Sequence, residues 1–445
     1  MAIPDANLME TTYFRRGFGL SKQIEPLVQA EYHSALVEQI RAQGYQASFG
    51  EGEQRLTLRL AEEFGFCYGV DRAVDYAYQT RHQFPARRIF LVGEIIHNPH
   101  VNARLQEMGV VFLYPRRADD AHAVGEFDFS ALQPEDVVIL PAFGVTIGDF
   151  QRLREIGCIL VDTTCGSVLN VWKRVESYAR DGFTALVHGK YFHEETQATA
   201  SQVFKHPGGQ YLVVRDLAEA RLVMDYIEQT RDALSRETFL AHFREKTSPG
   251  FDPDVHLAKL GVANQTTMLA GESLAIAAAL AKSLERRYGA EPGFAPEQHF
   301  RSFDTICSAT QERQDAVLKL MQDAEQGPPD VMVVIGGYNS SNTNHLAVLC
   351  ARHTLTYHVA DAACIDPQTG RIRFKPIGTP HDTPEQEAED WLPPGPLSLG
   401  LTAGASTPNN KIGEVVERVL RLRGIEAAAP PPPHPGCRPS AVGCQ

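Results

Sequence analysis

The stretch CILVDTTCGSVLNVWKRVESYA, residues 158–179, contains the pattern that decides the fold of this chain. A short apolar run at 158–161 is followed by a polar loop at 162–166, and from Val168 to Ala179 apolar residues recur at helical spacing. The run predicts a buried strand and the spacing predicts an amphipathic helix. The segment therefore indicates one strand–loop–helix unit.

The same unit recurs along the chain. The strand and loop parts are IFLVG (89–93), VVILPAFG (137–144), TALVHG (184–189), VMVVIGG (331–337) and LSLGLTAGAS (397–406). Such repetition is typical of α/β folds with parallel sheets. Polar residues concentrate in the loops that follow the strands, where open parallel sheets bind their ligands. These loops therefore predict a functional site.

Composition limits the class of protein. The chain has 445 residues, enough for about three domains. Its 43% apolar content is ordinary for a globular protein, and a net charge of −13 argues against binding nucleic acid or anionic membranes through the overall field. Eight cysteines are too sparse for a disulfide scaffold. With no apolar run of about 18 residues and no signal-peptide pattern, we expect a cytoplasmic protein without a membrane span.

Both ends of the chain differ from this pattern. Residues 1–60 form a predicted N-terminal extension, with a helix over 24–42 and a strand over 55–60. Residues 428–445 contain four consecutive prolines and predict a disordered tail, which makes its Cys437 and Cys444 poor candidates for a site. Segments 285–303 and 368–396 predict loops or insertions.

Three cysteines share a setting. Cys67, Cys165 and Cys307 lie 98 and 142 residues apart, each just before a predicted helix. A helix N-terminus favours the thiolate that metals need. Three ligands leave one metal position open, as in an iron–sulfur cluster with one exposed iron. The alternative is that all three are buried small side chains. Cys158 and Cys350 are predicted to be such core residues, and Cys364 is given no role.

Histidines and small polar residues occupy other loops of this kind. His97 and His193 suit a multiply charged anion, and Glu195, two residues beyond His193, suits a general acid. The runs 264–267, 339–344 and 404–407 present hydroxyl and amide groups before helices, as in a phosphate or diphosphate pocket. Simple helix caps, and histidines that are ordinary surface or core residues, are the alternatives. The absence of a P-loop disfavours ordinary nucleotide binding.

Eight motifs in order carry a family resemblance: GFCYGVDRAV, EIIHNPHVN, DTTC, HEETQATAS, ANQTTML, DTICSATQERQDAV, NSSNTNHL and TAGASTP. Over about residues 64–422 the chain resembles the 4-hydroxy-3-methylbut-2-enyl diphosphate reductases of the non-mevalonate isoprenoid pathway. Within this family, the chain is similar to the cyanobacterial and plant-plastid branch, in the sequences of its KYFHEETQATAS and GGYNSSNT motifs and in its N-terminal extension.

The resemblance implies a trefoil-like α/β fold of three lobes with mostly parallel sheets around a central iron–sulfur cluster. We predict lobes at 61–165, 166–303 and 304–427. The implied reaction is the reductive dehydroxylation of (E)-4-hydroxy-3-methylbut-2-enyl diphosphate to isopentenyl and dimethylallyl diphosphate. It implies one [4Fe-4S] cluster with an open iron, and a one-electron donor such as ferredoxin or flavodoxin.

Site residues follow motif by motif from the resemblance. Cys67, Cys165 and Cys307 would bind the cluster, and Glu195 would relay the proton. Thr266 would help to hold the hydroxyl end of the substrate, with Thr267 beside it less well matched. The groups expected to bind the diphosphate are His97, His193, Ser340, Ser341, Asn342 and Ser406.

Three positions depart from the pattern. Phe143 stands where many bacterial members have a third histidine, although the plant-like branch also has PAFG there. Gly166 stands where the family usually has proline after the second cysteine, and Asn409 replaces a common aspartate. The ligand Cys165 itself is retained.

Two other functions remain possible from the sequence. An aconitase-type hydro-lyase also uses three cysteines and one open iron, but it would be expected to have a Cys-x-x-Cys pair, which is absent here. A cluster-based redox sensor would need a DNA-binding or partner surface, which the acidic charge disfavours.

Overall fold

The computed structural model describes residues 12–115, 126–303 and 305–426. The predicted tail at 428–445 lies outside the described residues. The strands are β1 (Tyr13–Phe14), β2 (Gln46–Phe49), β3 (Leu56–Leu60), β4 (Ile89–Val92), β5 (Val110–Leu113), β6 (Val137–Leu140), β7 (Ile159–Asp162), β8 (Thr184–His188), β9 (Tyr211–Val214), β10 (Leu260–Asn264), β11 (Phe300–Ser302), β12 (Val331–Ile335), β13 (Leu355–Val359), β14 (Ile372–Phe374), β15 (Gln386–Ala388) and β16 (Leu397–Ala403).

The helices follow the strands in the predicted alternation. They are α1 (Ser21–Tyr32), α2 (Ala35–Ala42), α3 (Tyr68–Gln83), α4 (Pro99–Glu107), α5 (Ile147–Ile156), α6 (Gly166–Arg180), α7 (Glu194–Ala200), α8 (Leu217–Glu228), α9 (Arg236–His242), α10 (Pro253–His256), α11 (Ala270–Tyr288), α12 (Pro296–His299), α13 (Ser308–Met321), α14 (Ser341–Ala351) and α15 (Asn409–Leu422). Among the described residues, no helix is long and apolar enough to cross a membrane.

The chain divides into two compact units. Unit 1 takes in 12–22, 72–96 and 100–307, and unit 2 takes in 23–71, 97–99 and 308–426, within the described ranges. Unit 1 contains two sheets, in the orders β1-β7-β6-β4-β5 and β11-β10-β8-β9, and every strand pair in both is parallel. The strands β4, β6, β7, β8 and β10 are buried along their whole length, as the continuous apolar runs predict for sheets covered on both faces.

Unit 2 contains the third large sheet, in the order β13-β12-β16-β3-β2, together with the small β14–β15 pair. Only the β2–β3 and β14–β15 pairs are antiparallel among the strands described. Its core combines leucines of β3 with apolar residues of β12, β16 and α15. The prediction of an α/β fold with mostly parallel sheets is therefore confirmed.

Two local predictions need correction. The helix predicted over 24–42 is broken after Tyr32, because Ser34 caps α2 by accepting a hydrogen bond from the Val37 N–H at 3.3 Å. The segments 285–303 and 368–396, predicted as loops or insertions, also contain regular structure. The first contains the end of α11, the short α12 and β11, which pairs with β10, and the second contains the β14–β15 pair. Residues 46–60 of the predicted extension supply β2 and β3 to the unit 2 sheet. The lobe boundaries at 61, 166 and 304 stay a prediction.

Candidate active site

The loop that carries Cys165 is fixed at each of its polar residues. Asp162 ends β7, and its Oδ1 accepts a hydrogen bond from the Thr164 N–H at 2.9 Å. The Cys165 N–H donates to the Ala142 carbonyl at 3.0 Å. Cys165 then takes the N-cap position of α6 with extended backbone, φ −61° and ψ 143°. The strand and the helix together hold the thiol at the end of the sheet.

A second cysteine of unit 1 is close enough to affect the Cys165 thiol. Burial raises the pKa of Cys165, and repulsion from Cys307 raises it further. The N–H groups of Ser167 and Val168 point at the sulfur and oppose this rise in pKa. The two half-buried free thiols thus share one region at the start of a helix.

Thr266 links Cys307 to Glu195, the predicted general acid. Its carbonyl accepts a hydrogen bond from the Cys307 N–H at 3.3 Å, and its own N–H donates to Oε1 of Glu195 at 2.6 Å. Glu195 is only 2% exposed and lies in the first turn of α7. Thr266 therefore connects a buried carboxyl group with the backbone of Cys307. The neighbouring Thr267 instead accepts a hydrogen bond from the Gln265 amide at 3.0 Å.

His193 caps α7 with its ring. Nδ1 accepts a hydrogen bond from the Glu195 N–H at 3.2 Å, so the proton of a neutral ring is on Nε2. Phe143 packs edge-on against this ring, with centroids 5.7 Å apart and planes at 82°. Phe143 therefore orients a histidine. Its side chain has no group that donates to a phosphate.

In unit 2, the 336–344 loop presents its side chains from the start of α14. Ser340 caps the helix by accepting a hydrogen bond from the Thr343 N–H at 3.4 Å. Ser340, Ser341 and Asn342 are all at least 95% buried. Asn342 Oδ1 accepts a hydrogen bond from the Ala405 N–H at 2.9 Å, while its buried Nδ2 has no partner among the described residues. A buried amide donor without a partner at a helix N-terminus is suited to an anion.

The remaining predicted residues of unit 2 surround the same loop. The Ser406 hydroxyl donates to the His97 carbonyl at 3.2 Å, and the Cys67 N–H donates to the Ala405 carbonyl at 3.2 Å. A side chain at Gly337 would put its Cβ 2.7 Å from the His97 carbonyl, so only glycine fits there. Cys67, His97, Ser406 and the 336–344 loop therefore form one neighbourhood.

Two asparagines that the sequence analysis did not assign support this neighbourhood. Asn339 Nδ2 lies 3.3 Å from His97 Nδ1, so the proton of a neutral His97 ring is on Nε2. Asn98 Nδ2 donates to the Ser406 carbonyl at 2.8 Å. Asn339 begins the polar run 339–344 that was predicted to form part of a phosphate pocket, whereas the only sequence signal for Asn98 was its position beside His97.

The described residues fit an iron–sulfur group. The six cysteines in the described part of the chain form no disulfide. Those of the three predicted positions are half-buried, whereas Cys158, Cys350 and Cys364 are buried. The core positions predicted for Cys158 and Cys350 are confirmed. Half-buried thiols at helix starts are suitable soft ligands for iron–sulfur clusters.

Comparisons with known proteins identify the family of the chain. The LytB protein family profile matches residues 58–420. The 4-hydroxy-3-methylbut-2-enyl diphosphate reductase of Thermosynechococcus vestitus is 47% identical over 93% of this chain and 95% of its own length. That of Gloeobacter violaceus is 44% identical over 94% of each chain.

A solved structure shows the same fold. It is the E-1-hydroxy-2-methyl-but-2-enyl-4-diphosphate reductase from Plasmodium falciparum, which is 19% identical, with a TM-score of 0.55, over 82% of this chain and 87% of that chain.

Proposed function

The chain belongs to the LytB protein family, and from that premise we propose that it is a 4-hydroxy-3-methylbut-2-enyl diphosphate reductase. The reaction replaces the allylic hydroxyl of (E)-4-hydroxy-3-methylbut-2-enyl diphosphate by hydrogen. Two electrons and two protons enter, and water leaves with the formation of isopentenyl or dimethylallyl diphosphate. This would be the last step of the non-mevalonate route to isoprenoids.

The observation that supports the proposal most is the connection through Thr266. A reductive dehydroxylation needs a proton donor close to an electron source, because hydroxide is a poor leaving group. Glu195 and Cys307 bond to the N–H and the carbonyl of this same residue. Through Thr266, the buried carboxyl of Glu195 is thus linked to the backbone of a proposed cluster ligand, and we propose that it delivers the proton to the departing hydroxyl.

Cys67, Cys165 and Cys307 are the proposed ligands of one [4Fe-4S] cluster with an open iron. When bound, the cluster would supply electrons one at a time and a Lewis-acidic position for the substrate hydroxyl. Two of these side chains, Cys165 and Cys307, would repel each other as thiolates, which contributes to the raised pKa of Cys165. Binding to iron would remove this repulsion, since both sulfurs would then neutralise positive metal charge.

Diphosphate binding is assigned to local hydrogen-bond donors and helix termini. They are Nε2–H of His97 and His193, the hydroxyls of Ser340, Ser341 and Ser406, and the Asn342 amide. In a chain with a net charge of −13, the overall field repels a diphosphate, so affinity must come from such local donors. Thr266 would hold the hydroxyl end of the substrate beside Glu195.

The electron source and compartment follow from the chemistry. The proposed cluster takes single electrons, so we propose a one-electron donor protein such as ferredoxin or flavodoxin. We also propose a cytoplasmic location, because no disulfide joins the six described cysteines, as a reducing compartment favours.

The test is anaerobic reconstitution with iron and sulfide, followed by assay with the allylic hydroxy-diphosphate and reduced methyl viologen. Turnover that depends on the reductant supports the proposal, whereas an intact cluster without turnover contradicts it. Cys165→Ala should abolish the cluster, and the buried Cys158→Ala is the matched control that should keep it. Glu195→Gln should retain cluster and substrate binding but lose turnover. An active Glu195→Gln enzyme would disprove the proton-relay assignment.

A further inference from the structure

The Cys165 loop is held by an arginine from another helix. Arg72 lies in the second turn of α3, and its Nη2 donates to the Thr163 carbonyl at 3.2 Å and also to the Thr164 carbonyl. The carbonyl carbon of Thr164 is bonded directly to the nitrogen of Cys165, and the N–H of that nitrogen donates to the Ala142 carbonyl. The peptide group before Cys165 is therefore fixed both at its oxygen and at its hydrogen.

The turn before Cys67 is held by a second arginine. Arg313 lies in the second turn of α13, and its Nη2 donates to the Gly65 carbonyl at 2.7 Å. Gly65 has φ +78°, and a Cβ there would lie 2.5 Å from Oδ1 of Asn409, so this turn leaves no room for a side chain. Arg313 therefore fixes a tight turn two residues ahead of Cys67.

Neither guanidinium forms an ion pair in the described part of the chain. Arg313 is only 3% exposed, and burial of a charge without a counter-ion is costly. The equally buried Arg59 shows the usual solution, an ion pair with Asp323 at 2.7 Å. Arg313 and the half-buried Arg72 donate to backbone carbonyls instead, in charge-assisted hydrogen bonds that are stronger than those between neutral groups. Their charge thus serves to hold backbone.

The contacts connect each arginine with a cysteine other than the one that precedes its helix. The helix α3 follows Cys67 in the chain, yet its Arg72 holds the Cys165 loop. The helix α13 follows Cys307, yet its Arg313 holds the turn before Cys67. Each arginine and the segment that it holds belong to the same unit. Loss of either arginine should therefore affect a cysteine that is distant from it in sequence.

We propose that Arg72 and Arg313 are positioning residues of the cluster site, each of which fixes the backbone of a cysteine that its own helix does not follow. Metal ligands bind best when surrounding hydrogen bonds already hold them in place, because less freedom is then lost on binding. The inference rests on the proposed function, since that proposal assigns Cys67 and Cys165 as cluster ligands.

Hydrogen–deuterium exchange in the reduced apo-protein tests the pattern without a cluster. The amides of residues 163–165 and of Cys67 all donate hydrogen bonds, so their exchange reports opening of the two segments. Arg72→Met should speed exchange at 163–165 about tenfold, as expected for the loss of a hydrogen bond to a charged group, and leave Cys67 unchanged. Arg313→Met should have the opposite pattern.

Arg81→Met is the matched control. Arg81 is half-buried in the same helix as Arg72, forms no ion pair in the part of the chain that the structure describes, and donates from Nη2 to two backbone carbonyls, those of Phe84 and Arg87. It thus loses the same kind of contact at the other end of α3. Exchange at 163–165 and at Cys67 should stay as in the wild type.

The reconstituted protein tests the consequence for the cluster. A chelator should remove iron from Arg72→Met and from Arg313→Met about tenfold faster than from the wild type, as is usual when a group that orients a metal ligand is lost. Arg72→Lys and Arg313→Lys keep the charge and one donor nitrogen, so each should restore part of the difference. Arg81→Met should lose iron at the wild-type rate.

The outcomes separate this proposal from a general loss of stability. Faster exchange at both segments in either methionine variant would overturn it, as would unchanged exchange at the segment that the arginine holds, or iron retained as in the wild type. If a methionine variant does not fold, the lysine variant decides by the same pattern. A wild-type protein that binds no cluster contradicts the proposed function alone, because the exchange pattern does not require iron.

Discussion

Gly166→Pro is expected to stabilise the loop that holds Cys165. Gly166 is the first residue of α6, where the N–H has no partner within the helix and proline is preferred. A Cβ at this position meets no atom within 4 Å, and the φ angle of Gly166 is not positive. The preceding Cys165 has φ −61° and ψ 143°, which is the extended conformation that a residue before proline must adopt.

The expected increase in the free energy of unfolding comes from an effect on the unfolded chain. Replacing a residue by proline at a compatible position stabilises by about 0.4–1 kcal/mol, because the unfolded state loses conformational freedom. For a unit of this size that corresponds to a rise in Tm of about 1–4 °C. Urea unfolding of the apo-protein, followed by Trp172 fluorescence, measures the gain directly. The slope against urea should not change, since the exposed surface is the same.

The opposite end of the same helix provides the control. Gly182 has φ +78°, and its N–H donates to the Ala179 carbonyl at 3.2 Å. Gly182→Pro must lose both the left-handed conformation and this hydrogen bond, so it should destabilise by more than about 1 kcal/mol. If Gly166→Pro were destabilising to a similar extent, the conformation assigned to the Cys165 loop would be wrong.

Three further changes have defined outcomes. Tyr338→Phe removes a hydroxyl of the 336–344 loop that donates to Glu385 at 2.6 Å. The variant should bind inorganic diphosphate about threefold to tenfold more weakly in calorimetry. The control Tyr226→Phe loses an equally short hydrogen bond to the Asp254 carboxylate, and its diphosphate affinity should not change. Burial lowers the pKa of His358 from an ordinary 6.5 to about 4, so on acidification the unfolded state takes up the proton first. The free energy of unfolding should therefore fall by about 3 kcal/mol between about pH 6.5 and pH 4. In urea unfolding, the free energy of unfolding of His358→Gln should depend less on pH across that window. Gly144→Ala combines φ +77° with a Cβ 2.3 Å from the Trp172 ring, and should cost about 2–4 kcal/mol in the same measurement; a stable variant would contradict this contact.

The sequence was sufficient for the parts of the fold that depend on local pattern. The apolar runs of β7 and β12 and the polar loops after them are found as predicted, because a strand buried on both faces needs a continuous apolar run. The local pattern did not predict β11, an edge strand of three residues. Its sequence is too short to show strand alternation, and its pairing with β10 stabilises it.

The candidate site shows the same division. The cysteines could be selected because a shared position before a helix is visible in sequence. The contact between Glu195 and Thr266 could not be predicted from the sequence, because it uses a backbone N–H that almost any residue type offers. The two residues are also 71 positions apart in the chain. Likewise the role of Phe143 against His193 depends on ring geometry, and the residue type gives no indication of it.

The pairing of β3 with β16 has a consequence for synthesis of the protein. Leu56 is paired with Leu397, so after Leu56 the ribosome must add 341 residues before this residue of the parallel neighbour β16 has been synthesised. At about 5–20 residues per second, a ribosome needs roughly 17–70 s for that length of chain. During this interval three leucines of β3, all buried in the finished sheet, have only the hairpin partner β2. The nascent chain should therefore depend on chaperones until its last strand emerges.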